Sequence, residues 1–277
     1  MDHETWFERL IEGLHKDGNQ RWALLIDELP IFLKALHDRG PDGVIQARDF
    51  MNLTSRLRQA YPRVRWLITG SIGIEPLARD GNYLGVLAKY RPFELKPLTQ
   101  LQAVDFVQNL AEQGRLRHRT RITSAEAQAI VEAVGWRAAF YLEALAQELM
   151  DAPSEDGDAV ARSVEAAVQR LLEPVNLPIF GTWEEHLRKH YRDPERTLAF
   201  AALGALARHP GTLTLDTLLA SIQRPELTRA QLLTLLTRLH VDGFLTVEDW
   251  DSAEPRCAFR NRLLHRWWNR YSPQPTA

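Results

Sequence analysis

The sequence predicts an α/β region with a parallel sheet, then an all-α region, then a C-terminal unit of three helices and a hairpin, so that the chain is mostly helical overall. Three observations predict this. Two short apolar runs, 22–27 and 65–69, each end in polar residues and are separated by a helical pattern. Such runs are the mark of parallel strands buried on both faces. After Thr99 the pattern changes to helices alone. Beyond Thr182, three helical patterns precede two β-prone segments, the order of a winged helix.

The elements follow in order. Trp6, Phe7, Leu10, Ile11 and Leu14 fall at helical spacing, which predicts an amphipathic helix over 4–14 and is unlike the uninterrupted apolar stretch of a signal peptide. The strand at 22–27 comes next, then a helix over 50–61, then the strand at 65–69. Residues 93–95, just before Pro97, read as one more strand. Thr99 and Ser124 are the expected helix N-caps, and Gly114 and Gly135 the breaks. The acidic stretch 151–158, with Pro153 and Gly157, suits a surface connection, and 173–181, with Pro174 and Pro178, reads as a linker. Helices over 197–207, 215–222 and 229–241 lead to strands at 244–247 and 257–259, joined by a charged turn, and a last helix runs to Tyr271. These boundaries give three domains: 1–98, 99–175 and 182–277.

Composition bounds the function. With 277 residues, 45% hydrophobic, 25% charged and a formal net charge of -2, the chain reads as an ordinary globular protein, so any nucleic-acid contact is local. Cys257 is the only cysteine, which excludes an intramolecular disulfide and a thiolate metal cluster and fits a cytoplasmic location. No window approaches the ~20 apolar residues of a membrane-spanning helix. The histidines show no ligand spacing such as HExxH.

The most informative segment is Ala23-Leu24-Leu25-Ile26-Asp27-Glu28, an apolar strand ending in adjacent carboxylates. Ligands of α/β sheets bind beyond the carboxyl ends of the strands. A carboxylate there can hold Mg²⁺ while its neighbour orients or deprotonates a water, which gives Asp27 the metal role and Glu28 that of catalytic base. The other reading is that the pair caps the next helix. Trp66-Leu67-Ile68-Thr69-Gly70-Ser71 also ends in polar groups and fits an adjacent parallel strand. Thr69 and Ser71 then either contact a γ-phosphate or supply turn chemistry.

Taken together, Leu24-Leu25-Ile26-Asp27-Glu28-Leu29-Pro30, Ile68-Thr69-Gly70-Ser71, Phe93-Glu94-Leu95-Lys96-Pro97-Leu98, Gly135-Trp136-Arg137 with Phe140-Tyr141-Leu142, and Phe259-Arg260-Asn261-Arg262-Leu263-Leu264 with Trp267-Trp268 resemble the archaeal-type ATPase branch of the STAND/AAA+ P-loop NTPases. The resemblance implies a partial P-loop NTPase core, a helical lid and a winged helix, and ATP and Mg²⁺ as cofactors. It gives Asp27 and Glu28 the Walker B roles, Thr69 or Ser71 the sensor 1 role, and the Gly135 region the lid over the nucleotide. Relatives tend to have proline where Ala139 stands; Arg137, whose planar charged fork suits phosphate oxygens, can substitute as a phosphate sensor or is a surface arginine at a helix start. Arg91 is in range to act as a trans-acting arginine finger, which keeps a homo-oligomer open.

The sequence departs from that family in having no Gly-x-x-x-x-Gly-Lys-Ser/Thr loop, whose backbone N–H groups and lysine would hold the phosphates. The expectation is that the chain begins inside the ATPase domain and lacks a mid-sheet strand. Buried backbone groups left unpaired by such a gap cost roughly 1–3 kcal/mol each. The open explanations are a fragment or mis-started reading frame of a longer ATPase, a protein partner or missing N-terminal segment that completes the sheet, or a reorganised sheet without nucleotide chemistry.

In the last unit, Arg262, Arg266 and Arg270 recur every fourth residue and form a cationic stripe. It is the candidate surface for weak DNA binding or a protein partner, or simply a solvated helix face. The leading expectation is an ATPase module coupling Mg²⁺-ATP hydrolysis to conformational change, impaired without Walker A. The alternative is a non-catalytic protein-interaction or DNA-binding winged-helix protein.

Overall fold

The structure, a computed structural model, describes residues 3–18, 20–70, 73–93, 95–250, 252 and 254–273. The chain divides into two compact units, Met1–Glu94 and Leu95–Ala277.

In the first unit the order is α1 (His3–Lys16), β1 (Trp22–Ile26), α2 (Leu29–His37), α3 (Pro41–Ala60), β2 (Val64–Ile68), α4 (Ile74–Asp80) and α5 (Leu84–Leu87). β1 and β2 pair in parallel, with Trp22 opposite Val64 and Ile26 opposite Ile68. Alternate residues of both strands turn to the helices. Trp22, Leu24 and Trp66 join Ile11, Leu53 and Leu57 in one cluster, while Ile26 and Ile68 pack on Leu29, Leu33, Met51 and Tyr83 in another. Phe7 of α1 meets Trp66 edge-on at 6.0 Å between ring centroids.

The expectation of strands buried on both faces does not hold. Leu25 is 68% and Leu67 47% exposed, and Ala23 and Arg65 lie open beside them. The runs look continuously apolar, but each strand buries only every second side chain, because no described element of the first unit covers the second face. Residues 93–95 also depart from expectation. Phe93 and Leu95 are 81% and 87% exposed and belong to no strand, with neither a ladder partner nor a core beneath them; Glu94 lies outside the described residues. The helix expected over 50–61 starts earlier, with Pro41 in its first turn, where the missing N–H is needed by nothing.

The second unit runs α6 (Gln100–Glu112), α7 (Ser124–Val134), α8 (Ala139–Gln147), α9 (Gly157–Leu171), a 3₁₀ turn (Pro174–Asn176), α10 (Leu177–His190), α11 (Glu195–Ala207), β3 (Leu213–Thr214), α12 (Leu215–Ile222), α13 (Arg229–Val241), β4 (Leu245–Glu248), β5 (Arg256–Phe259) and α14 (Arg262–Tyr271). Its sheet is antiparallel in the order β3-β5-β4.

Thr99 caps α6 through a reciprocal box with Gln102, as the sequence predicts. The cap of α7 is Thr123 rather than Ser124, because the Thr123 hydroxyl accepts the Glu126 N–H while the Glu126 carboxylate, three residues on, accepts the Thr123 N–H. Nor is 173–181 a linker. Its two prolines occupy first turns of helical segments, and Phe180 is wholly buried, stacked between Tyr141 and Trp267 at centroid distances of 6.0 and 6.2 Å. One hydrophobic core therefore runs from Ala103 to Trp268, spanning the segments assigned to lid and C-terminal unit.

Candidate functional site

Asp27 and Thr69 are the first residues beyond the ends of β1 and β2. The backbone ladder extends to them: the Thr69 N–H donates to Ile26 O at 3.0 Å and the Leu29 N–H to Thr69 O at 3.3 Å. This brings two polar side chains together. Thr69 Oγ1 donates a short hydrogen bond to Asp27 Oδ1, which also accepts the Glu28 N–H at 3.0 Å. Among the described residues both contacts fall on Oδ1 and none on Oδ2, and Asp27 is exposed.

Glu28 sits between β1 and α2 with φ 55° and ψ 32°, the left-handed region that costs a non-glycine residue roughly 1–2 kcal/mol. Such strain persists only where surroundings hold it, and clusters at functional sites. The carboxylate makes no capping hydrogen bond to α2. The sharp turn brings Pro30 under the exit of β2, where a Cβ on Gly70 would stand 2.5 Å from the Pro30 ring. Glycine at 70 is thus needed for backbone clearance. Ser71, the alternative sensor, lies outside the described residues.

Among the described residues no three His, Cys, Asp or Glu side chains gather to hold a metal. Mg²⁺ asks for less: it is usually bound by one or two carboxylates together with waters and substrate phosphates. Asp27, with Thr69 fixing its rotamer, fits such a site. Two cavities, of about 540 Å³ beside Leu219 and Arg224 and about 470 Å³ beside Arg21 and Arg63, are not lined by Asp27, Glu28 or Thr69.

The remaining candidates have local structural work. Gly135 ends α7 at φ 72°, and a Cβ there would press on the Arg262 side chain at 2.8 Å. Arg137 donates from Nε to Leu98 O at 2.6 Å, and its own carbonyl accepts the Leu98 N–H at 3.0 Å. Arg91 is exposed in the irregular stretch after α5. The cationic stripe is largely engaged within the unit: Arg262 donates to Glu132 O at 3.0 Å, and Arg266 makes a two-pronged pair with Glu165 at 2.8 and 2.5 Å. Arg270 is exposed, its guanidinium 5.7 Å from the Tyr271 ring. Sequence reasoning had no signal for these acceptors, two of which are backbone carbonyls.

No protein-family model matches the chain, and no curated protein matches it in sequence. Among solved structures it is similar to the Walker-type ATPase of Pyrococcus abyssi, with a TM-score of 0.64 and 16% identity over 96% of this chain and 68% of that chain. At this identity the likeness is one of fold: over nearly its whole length the chain follows the fold of a Walker-type ATPase.

Proposed function

We propose that this chain is an ATPase module of the STAND/AAA+ type, in which residues 1–98 carry the Walker B and sensor 1 strands, 99–175 a helical lid and 182–277 a winged helix. The observation that carries the reading is the hydrogen-bonded pair of Asp27 and Thr69 at the same end of two adjacent parallel strands, with strained Glu28 beside it. That end is where α/β sheets bind ligands. Mg²⁺, if held by Asp27, would supply positive charge to offset the charge that develops on the phosphates. Asp27 would hold the ion, Thr69 would orient the Asp27 carboxylate, and Glu28 would take a proton from the attacking water.

The phosphate-holding loop, absent from these 277 residues, would come from further polypeptide. The three helices α11, α12 and α13 with the β4–β5 hairpin support the winged-helix reading. DNA binding has less support. On α13, Arg229 pairs with Asp216 at 3.1 Å, and Arg238 pairs with Glu195 and lies 3.9 Å over the Tyr191 ring. We place the protein in the cytoplasm; no described helix is long and apolar enough to cross a membrane.

The test is phosphate release from Mg²⁺-ATP by the native assembly containing this chain. Glu28→Gln is expected to retain bound ATP and lose turnover, and Asp27→Asn to lose Mg²⁺-dependent binding. Turnover undiminished in Glu28→Gln would remove Glu28 from the chemistry.

A further inference from the structure

The face of the β1–β2 sheet that no described element of the first unit covers is graded in charge. At its amino-terminal end Arg21, Arg63 and Arg65 line a cavity of about 470 Å³ with Gly18, Gln20 and Pro62. No carboxylate pairs with these three arginines among the described residues. In the middle, Leu25 lies opposite Leu67, both open to solvent. At the carboxyl end stands exposed Asp27. Parallel sheets occur almost only with both faces covered, usually by helices running antiparallel to the strands. A helix so placed would bring its positive N-terminal end to Asp27 and its negative C-terminal end to the arginines.

We propose that this face docks an amphipathic helix of a partner protein, laid antiparallel to β1 and β2, with its apolar stripe on Leu25 and Leu67 and carboxylates of its last turn in the arginine cavity. At ~3.3 Å per strand residue the face from Arg21 to Asp27 is about 20 Å long, which a helix of roughly 13 residues spans. A second copy of this chain matches the surface less well: face to face it would bring one Asp27 to three arginines and leave a cationic excess. The surface stands whether or not Asp27 and Glu28 serve a nucleotide.

The test uses the full chain and a fluorescent, helix-stapled synthetic peptide of about 13 residues, with leucines along one face and glutamates in its last turn, followed by anisotropy. Saturable binding is expected, weakened roughly tenfold or more by Leu25→Gln with Leu67→Gln, and likewise by Arg21→Glu with Arg63→Glu and Arg65→Glu. Circular dichroism checks that these variants fold. Peptides with lysines in the last turn, or with the glutamates moved to the first turn, should bind the unaltered chain at least about tenfold more weakly, so the test survives a variant that does not fold. Absence of binding, or equal binding of the reversed peptides, overturns the proposal. Self-association of the chain in sedimentation velocity, abolished by Leu25→Gln with Leu67→Gln, would give the face to a second copy and overturn it too.

Discussion

Thr69 Oγ1 donates a hydrogen bond to Asp27 Oδ1 across the carboxyl ends of two parallel strands, one residue beyond the last paired positions, Ile26 and Ile68. The bond closes the ladder with side chains where the backbone pairing ends. An intramolecular hydrogen bond contributes a net ~0.5–1.5 kcal/mol and one to a charged group ~1.5–3 kcal/mol, and the solvent exposure of both Asp27 and Thr69 holds this one within the lower range. Thr69→Val should therefore lower unfolding stability by about 1 kcal/mol in urea titrations. Thr69→Ser, which keeps the donor, should stay close to the parent chain. Equal loss in both would mean that the threonine methyl, not the hydroxyl, matters.

Glu28 pays conformational strain for its position, with φ at 55°. Glycine adopts that region freely but gains freedom in the unfolded chain, which offsets part of the benefit. Glu28→Gly should raise stability by up to about 1 kcal/mol, whereas Glu28→Val, branched at Cβ, should lower it by more than about 1 kcal/mol. If Glu28 is the catalytic base, the glycine variant gains stability while losing turnover, the exchange expected of a strained working residue. Thermal melts and phosphate-release rates on the same preparations measure both.

Much of the geometry of the candidate site was legible because strand ends obey simple rules. An apolar run that stops at Asp27, followed by another that stops at Thr69, fixes a parallel pair with polar ends on one side. What the sequence does not carry is how many layers cover the sheet. Leu25 has the same hydropathy as Leu24, and Leu67 is at least as apolar as Trp66, yet only Leu24 and Trp66 are packed, since exposure depends on elements far away in the chain. The misreading of 173–181 has a similar origin. Proline marks both linkers and helix starts, and only the burial of Phe180 distinguishes them. Arginine stripes are equally ambiguous, because the carboxylate facing Arg266 comes from Glu165, in another helix.

Arg119 and Glu126 form a buried ion pair in which every prong is used. Both Glu126 oxygens accept from Arg119 Nη2 at 2.8 and 2.9 Å, and they also accept the Thr123 N–H at 2.9 Å and the Ser154 N–H at 3.3 Å. Arg119 Nη1 reaches Asp151 O at 2.6 Å, so the pair anchors the 151–156 connection to the start of α7. Removing one partner of a buried pair costs ~3–5 kcal/mol. Glu126→Leu should be the worse variant, since it orphans two backbone donors as well as the guanidinium. Arg119→Met leaves the carboxylate with both backbone donors and should cost less. Chemical denaturation should rank them in that order.

Cys257 is buried in β5, with its thiol 3.6 Å from Leu213 O, and burial pushes its pKa up to about 12. Thiolate is the reactive form. The folded chain should therefore be inert to a disulfide-exchange reagent at pH 8, and labelling should appear only with global unfolding. Rapid labelling without denaturant would show that β5 opens locally.

The Glu165–Arg266 pair predicts a particular response to acid. The Arg266 guanidinium beside Glu165 is the main cause that holds the Glu165 carboxyl at about 2, below the ordinary 4.5. A carboxyl depressed on folding stabilises the folded state above its unfolded pKa, and that contribution is lost as pH falls through the folded value. The window is therefore from about 4.5 down to about 2. Both side chains are partly open to solvent, so the pair contributes under about 1 kcal/mol. Arg266→Gln should melt slightly below the parent chain at pH 7, and the gap should shrink as pH falls through that window and vanish near its lower end. The same loss should appear as a salt dependence at pH 7, with the two proteins converging as ionic strength rises. A gap that stays constant from neutral to acid pH would assign the effect of Arg266 to its packed side-chain stem rather than to its charge.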